Sequence, residues 1–386
     1  MERLPRKTRA KRPKTRLTIF DVAREAGVST KTVSKVMNSQ PGVSEETRQQ
    51  VLKVVQELGY HPHYGARSLR AVRRNCIGVT VAPPLRMVPL REDFLIWLLA
   101  RLSTTFAAGG AYLTFDTSRL SENSMIDYSR GVWERMYDLC FIVGPFPLED
   151  KTINRIHFSG IPYIALGRPV PSESCNYAAV DLDRAAYESA KFLLARGHRR
   201  ILMLNAFEGY SAGWERREGF CRALSEAGVS RQEAESMIVD AGTLPRNLEA
   251  VLGEALRGGD YTALIDATAL ENPQAIRSGC ARAGRVPGKD LEVVIWTYEE
   301  QGVILPEASA HVWIPVRKAV LRGIEEIARI FRQSAEPHGG SAEPHSASQR
   351  TPATAPIIQI LEPAVLSTQR QPASGPHRTI RIMDLV

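Results

Sequence analysis

The apolar positions that follow Thr18 fall on helical spacing. Ile19, Val22, Ala23 and Ala26 recur every three or four residues, and Gly27 ends the run. Ser29, a residue type that caps helices well, then opens a second pattern, Thr30 to Met37, with Val33, Val36 and Met37 on one side. A third begins at Ser44, carries Glu45 and Glu46 where a helix start favours negative charge, and sets Val51, Val54, Val55 and Leu58 before Gly59. The spacing predicts a three-helix module over residues 17–62, its first two helices meeting at a tight turn.

Beyond residue 76 the period changes. Short apolar runs at 76–82, 111–116, 139–144, 162–167, 200–205, 263–267 and 292–296 read as strands, and stretches such as 92–108, 184–196, 214–227 and 247–257 read as helices between them. Alternation of this kind predicts parallel sheets covered by helices, and its length predicts two such lobes within 75–333. Lobes of this class bind ligands at the carboxyl ends of their strands, most often where two of them meet.

The remaining segments lack such patterns. Residues 1–16 hold eight basic residues, two prolines and little that is apolar, and are predicted to be a disordered arm. Residues 63–74 are short, basic and weakly helical, as suits a hinge. Residues 334–356 repeat AEPH amid Ser, Gly and Pro and read as a flexible linker. The strand-like run IIQILEPAVL follows at 357–366, predicted as one terminal strand (357–368) of the lobed part, and 369–386 reads as a loose tail.

Length and charge sharpen this. A chain of 386 residues exceeds what one hydrophobic core supports. Its 44% hydrophobic and 24% charged residues exclude a wholly disordered or collagen-like protein. The net charge of +8 is uneven: residues 1–74 hold 17 Lys and Arg against 6 Asp and Glu, whereas the rest hold 33 against 36. A basic end suits an arm, a membrane surface or nucleic acid, and charge alone does not choose among them. No apolar run reaches membrane-spanning length, since the longest, Phe94 to Leu102, already contains Arg101. The basic start leads into no apolar signal core, so a cytoplasmic location is expected. The five cysteines lie far apart with no metal-ligand spacing and read as reduced, structural thiols.

Three stretches, TIFDVAREAGVSTKTVSKVMN (18–38), VSEETRQQVLKVVQELGYHP (43–62) and ARSL (66–69), closely resemble the lactose-repressor (LacI/GalR) family of bacterial transcription regulators. The likeness continues as VDLD (180–183), LLARGHRRI (193–201), RREGFCRALSEAG (216–228) and RVPGKDLEVV (285–294), and so covers most of the chain from 18 to about 330. It implies a helix-turn-helix headpiece, a hinge helix, and a two-lobed α/β part like periplasmic binding proteins. It also implies a homodimer on a palindromic double-stranded DNA operator, controlled by a small effector such as a sugar or sugar derivative.

In a helix-turn-helix the second helix enters the major groove. Thr30, Lys31 and Lys35 sit near its start or on the side opposite Val33 and Val36, and are the candidate base contacts. Thr18, Ser29, Thr32, Ser34 and Asn38 are candidate backbone contacts. An apolar side chain gains nothing in water, so Leu69 in the basic hinge makes sense as a wedge. The resemblance assigns it to the minor groove, with Ala66, Arg67 and Arg70 beside it.

For the effector, the resemblance places Arg216 of an RxxGF motif against sugar hydroxyls, where its fork can bridge neighbouring oxygens. Phe94, Arg168, Asp181 and Trp214 are candidate walls. The chain departs from the family's pattern at Thr268-Ala269, usually Asn-Asp, and at Ile295-Trp296-Thr297, usually glycine, an aromatic and aspartate. Thr268, Trp296 and Thr297 thus occupy ligand positions from which the family's carboxylates are missing. Trp296 and Tyr298 are then candidates to stack on a ring, or the arginines to hold an acidic or phosphorylated ligand.

Two other functions compete. A solute-binding transport protein would share the lobes, but would need an export signal and no headpiece. An enzyme would need a motif the chain lacks: no GxGxxG opens a βα unit, there is no Walker loop or GxSxG, and His61, His63, His157, His198 and His311 show no ligand spacing. No catalytic residue, metal or cofactor is expected, and His198 reads as a structural residue at a helix end.

Overall fold

Each helix of the amino-terminal unit starts and stops on a local hydrogen-bonding device. In the computed structural model, the described residues are 17–37, 40–60, 75–82, 92–116, 128–148, 150–170, 175–242, 247–269, 272–298, 304–333 and 358–368. The arm, Asn38, the hinge with Ala66, Arg67, Leu69 and Arg70, the linker and the tail lie outside them. The chain divides into two units, Met1–Arg74 and Asn75–Val386.

In the first unit, α1 (Ile19–Glu25) begins where the Thr18 N–H donates to Asp21 at 2.9 Å. The Gly27 backbone, at φ +63°, turns the chain, and Ser29 caps α2 (Thr30–Met37) by accepting from the Thr32 N–H at 3.1 Å. Ser44 caps α3 (Glu45–Leu58) in the same way, and Gly59 ends it in the left-handed conformation. Val22, Ala23, Ala26, Val33, Val36, Val51, Val54 and Tyr60 close the core. Each buried valine stabilises the module by roughly 1.5–3 kcal/mol, which explains how so few residues hold together.

The second unit contains two six-stranded sheets. The first lobe orders its strands β11-β5-β4-β3-β1-β2, using β1 (Cys76–Val81), β2 (Tyr112–Asp116), β3 (Leu139–Val143), β4 (Tyr163–Leu166), β5 (Tyr177–Val180) and β11 (Gln359–Glu362). The second orders them β12-β10-β9-β8-β6-β7, using β6 (Ile201–Asn205), β7 (Ile238–Asp240), β8 (Ala263–Asp266), β9 (Glu292–Tyr298), β10 (Ala310–Ile314) and β12 (Val365–Ser367). All pairs are parallel except β10 with β12. Helices α4 (Glu92–Phe106), α5 (Arg130–Trp133) and α6 (Lys151–Phe158) lie along the first lobe's stretch of chain. The second lobe's stretch carries α7 (Leu182–Ala195), α8 (Ser211–Glu226), α9 (Arg231–Ser236), α10 (Leu248–Arg257) and α11 (Pro273–Arg282). After β10 the chain returns to the first lobe as α12 (Val316–Gln333), which packs on β5 and β4.

The single terminal strand expected over 357–368 is instead two. Pro363 has no N–H to continue a ladder. Gln359–Glu362 therefore pairs with β5 of the first lobe, and Val365–Ser367 with β10 of the second. Among the described residues the chain thus passes between the lobes three times, at Asp181, at Pro315 and at Pro363-Ala364. The crossings are tied together: the Asp181 N–H donates to the Glu362 carbonyl at 2.9 Å, and the buried Glu362 carboxylate pairs with Lys318 at 3.0 Å and with Arg322. All five thiols are buried and none forms a disulfide.

Candidate functional site

The headpiece presents α2 with its apolar side, Val33 and Val36, turned into the core, leaving Lys31 exposed and Thr30, Ser34 and Lys35 half-buried. Lys35 leans on the turn that precedes α3, its Nζ 3.3 Å from where a Cβ at Gly42 would lie. The Ser29 and Thr32 hydroxyls are 2.9 Å apart, and the Thr18 hydroxyl donates to Asp21 at 2.7 Å, so these hydroxyls first hold the helix starts. Phe20 is 72% exposed on α1, an apolar surface the sequence reading did not single out.

In the second unit a cavity of roughly 220 Å³ opens between the lobes, at the carboxyl ends of strands from both sheets. Phe94, Arg168 and Arg216 line it. Arg216 is buried, and its Nη1 donates to the Ala206 carbonyl at 3.3 Å while its Nε has no partner. Its guanidinium carbon lies 6.0 Å from the Phe207 ring and 5.6 Å from the Trp296 ring. A buried guanidinium with donors to spare faces the cavity.

The other sequence candidates fall elsewhere. Asp181 caps α7, accepting from the Arg184 N–H at 3.0 Å. Trp214 is 38% exposed and outside the wall. Trp296 is fully buried behind Arg216, donating to Ser189 Oγ at 3.2 Å, so it does not stack on anything in the cavity. Thr297 is also fully buried. Thr268 donates to the buried Asp266 from both its N–H, at 3.1 Å, and its hydroxyl, at 2.6 Å. Burial pushes Asp266 upward, against the pull of Thr268 and Arg216.

The structure adds residues the sequence reading missed. Glu215, 2% exposed, lines the cavity and pairs with Arg168, supplying a carboxylate from a helix rather than from the strand ends. Burial pushes its carboxyl up to about 7 in spite of Arg168 and Arg216. The signal was present: Ser211, Glu215 and Gly219 follow helical spacing along the buried side of α8. Phe207 lines the cavity with its backbone held at φ +67°, a conformation unusual for a bulky residue. Ser211, Tyr298 and Arg317 complete the polar part of the wall, and the rest is aliphatic.

Away from the cavity, His198 sits 2.9 Å from Thr262 Oγ1 and 2.6 Å from Glu292 Oε2, tying segments that open three strands. Among the described residues no cluster of His, Cys, Asp and Glu is arranged to hold a metal, and no helix is long and apolar enough to cross a membrane.

Residues 18–63 match the family pattern described as bacterial regulatory proteins, lacI family, and residues 141–252 match that of periplasmic binding proteins and the sugar-binding domain of the LacI family. The chain is 29% identical to the HTH-type transcriptional regulator CelR of Thermobifida fusca over 72% of its own length and 81% of the relative's. It is 30% identical to the HTH-type transcriptional repressor PurR of Vibrio atlanticus over 58% and 64%. The fold matches that of a lac repressor dimer bound to operator and the anti-inducer ONPF with TM-score 0.66 at 20% identity, covering 91% of this chain and 97% of that one. A CelR–cellobiose complex matches with TM-score 0.56 at 23% identity, covering 91% and 98%.

Proposed function

The chain belongs to the LacI family of bacterial regulatory proteins, and from that premise we propose that it binds a palindromic operator as a homodimer and releases or tightens its hold when a carbohydrate-like effector enters the inter-lobe cavity. It is a DNA-binding transcription regulator of a family made of regulators, not enzymes. The transport reading has no support, because the pattern over residues 18–63 is that of a helix-turn-helix unit. One observation carries the proposal: a capped helical pair with Lys31 exposed on its second helix, in the same chain as a cavity walled by two lobes.

Lys31 would reach base edges, while the arm would hold phosphates. Lys31→Ala is expected to relax preference at one operator position by about 1–3 kcal/mol. Loss of Arg6, Lys7 and Arg9 should weaken all sequences alike and flatten the salt dependence. Lys35, folded toward Gly42, should show the smaller loss of the two lysines. Binding titrations on operator and random duplexes distinguish these. Equal losses on both duplexes for Lys31→Ala would remove it from base readout.

For the effector, Arg216 supplies donors, Glu215 an acceptor, and Phe94, Phe207 and the aliphatic wall an apolar surface. That combination suits a hydroxylated ring with an apolar face. The solved CelR–cellobiose complex shares the fold, which favours a sugar or sugar derivative. A melting-temperature survey of the full chain against sugars, sugar phosphates and sugar acids is the direct test, since specific binding raises native stability. No shift with any of the three classes would count against a carbohydrate effector.

A further inference from the structure

Beside the cavity the two lobes are fastened by a small clasp. Loop 144–148, after β3 of the first lobe, meets loop 206–211, after β6 of the second. The Leu148 N–H donates to the Gly209 carbonyl at 3.0 Å and the Ser211 N–H to the Phe146 carbonyl at 2.7 Å. The Phe146 N–H donates to Ser211 Oγ at 3.4 Å, and Pro147 and Tyr210 form a lone antiparallel bridge.

One helical turn beyond Ser211, Glu215 of the second lobe is buried against Arg168 of the first. Because Glu215 lines the cavity between the lobes, parting them would break the clasp and admit water to its carboxylate. Its environment, and with it the free energy of its charge, therefore depends on whether the lobes are closed. The charged groups around it are Arg168 on the loop after β4, Arg216 on its own helix and Asp181 at the start of α7.

We propose that Glu215 is a proton-linked latch: closing the lobes takes up a proton at its carboxyl, so closure is favoured while Glu215 is neutral and loosened once it is ionised.

The sign follows from burial. In the closed lobes desolvation outweighs Arg168 and Arg216 and holds the carboxyl at about 7, against an ordinary value of 4.5 in water. Between those values the closed form binds more protons than the open one, so acidification favours closure. Above about 7 both forms are ionised and closure no longer changes with pH. Going from about pH 8.5 to about pH 6 should raise the closing constant about tenfold. The latch does not rest on which molecule the cavity binds or on the DNA assignment.

Hydrogen–deuterium exchange on the full chain, corrected for intrinsic rates, tests it. Peptides covering 144–148 and 206–211 should be about tenfold better protected near pH 6 than near pH 8.5, with β3 and β6 unchanged. Glu215→Gln, neutral at every pH, should keep the clasp protected at both. Removal of the attractive partner in Arg168→Gln should move the transition to higher pH. A wild-type clasp indifferent to pH, a Glu215→Gln variant with wild-type pH dependence, or an unmoved midpoint in Arg168→Gln would each overturn the latch.

Discussion

Gly219→Ala is expected to lower the melting temperature of the full chain by roughly 6–12 °C. Gly219 lies on the inner side of α8 where that helix crosses α7. A Cβ there would fall 1.9 Å from the Asp183 carbonyl oxygen, 2.8 Å from its carbon and 3.1 Å from the Tyr187 nitrogen. All three are backbone atoms of a helix, so no rotamer change relieves the clash and the helices must separate. Overpacking of this kind costs about 3 kcal/mol. Because α8 also carries Glu215 and Arg216, the shift should weaken effector response along with stability. Calorimetric melting checks it. An unchanged transition would mean that the two helices do not approach so closely.

Arg216→Ala is expected to leave operator binding intact without effector and to lower effector affinity about 100-fold, near 2.7 kcal/mol. The guanidinium is set by the Ala206 carbonyl and by the faces of Phe207 and Trp296, so its remaining donors are already aimed when a ligand arrives. Arg216→Lys keeps the charge but loses the planar fork, and should recover only a small part of the affinity. Titration calorimetry with the carbohydrate that best stabilises the wild type, together with operator anisotropy, separates the two effects. A variant that still responds fully would take Arg216 out of the recognition step.

The headpiece is legible from sequence because its signals are local. Ser29, Ser44, Gly27 and Gly59 act within a turn of where they stand, and the valines report the inner side directly. Seven of the strands were legible as apolar runs for the same reason, whereas β5, β7 and β10 were not singled out. What sequence does not show is depth along an element. Trp296 and Tyr298 share one side of β9, yet Tyr298 at the strand end reaches the cavity while Trp296, two residues earlier, is sealed beneath Arg216. The split of the last strand was equally hidden. Pro363 signals an interruption, but only the pairing partners, β5 in one lobe and β10 in the other, reveal a crossing. Glu215 was overlooked because a charged residue beside an arginine on a helix usually faces solvent, and its partner Arg168 lies 47 positions away in the other lobe.

Regulation by this protein depends on sequence-specific recognition of DNA by the headpiece. The most direct test is selection of bound fragments from a bacterial genomic library by the purified full chain at near-physiological salt, with excess random competitor. A two-fold symmetric site should be enriched, with Lys31→Ala relaxing one position in each half. Recovery of fragments with no common sequence, bound no better than the competitor, would contradict it.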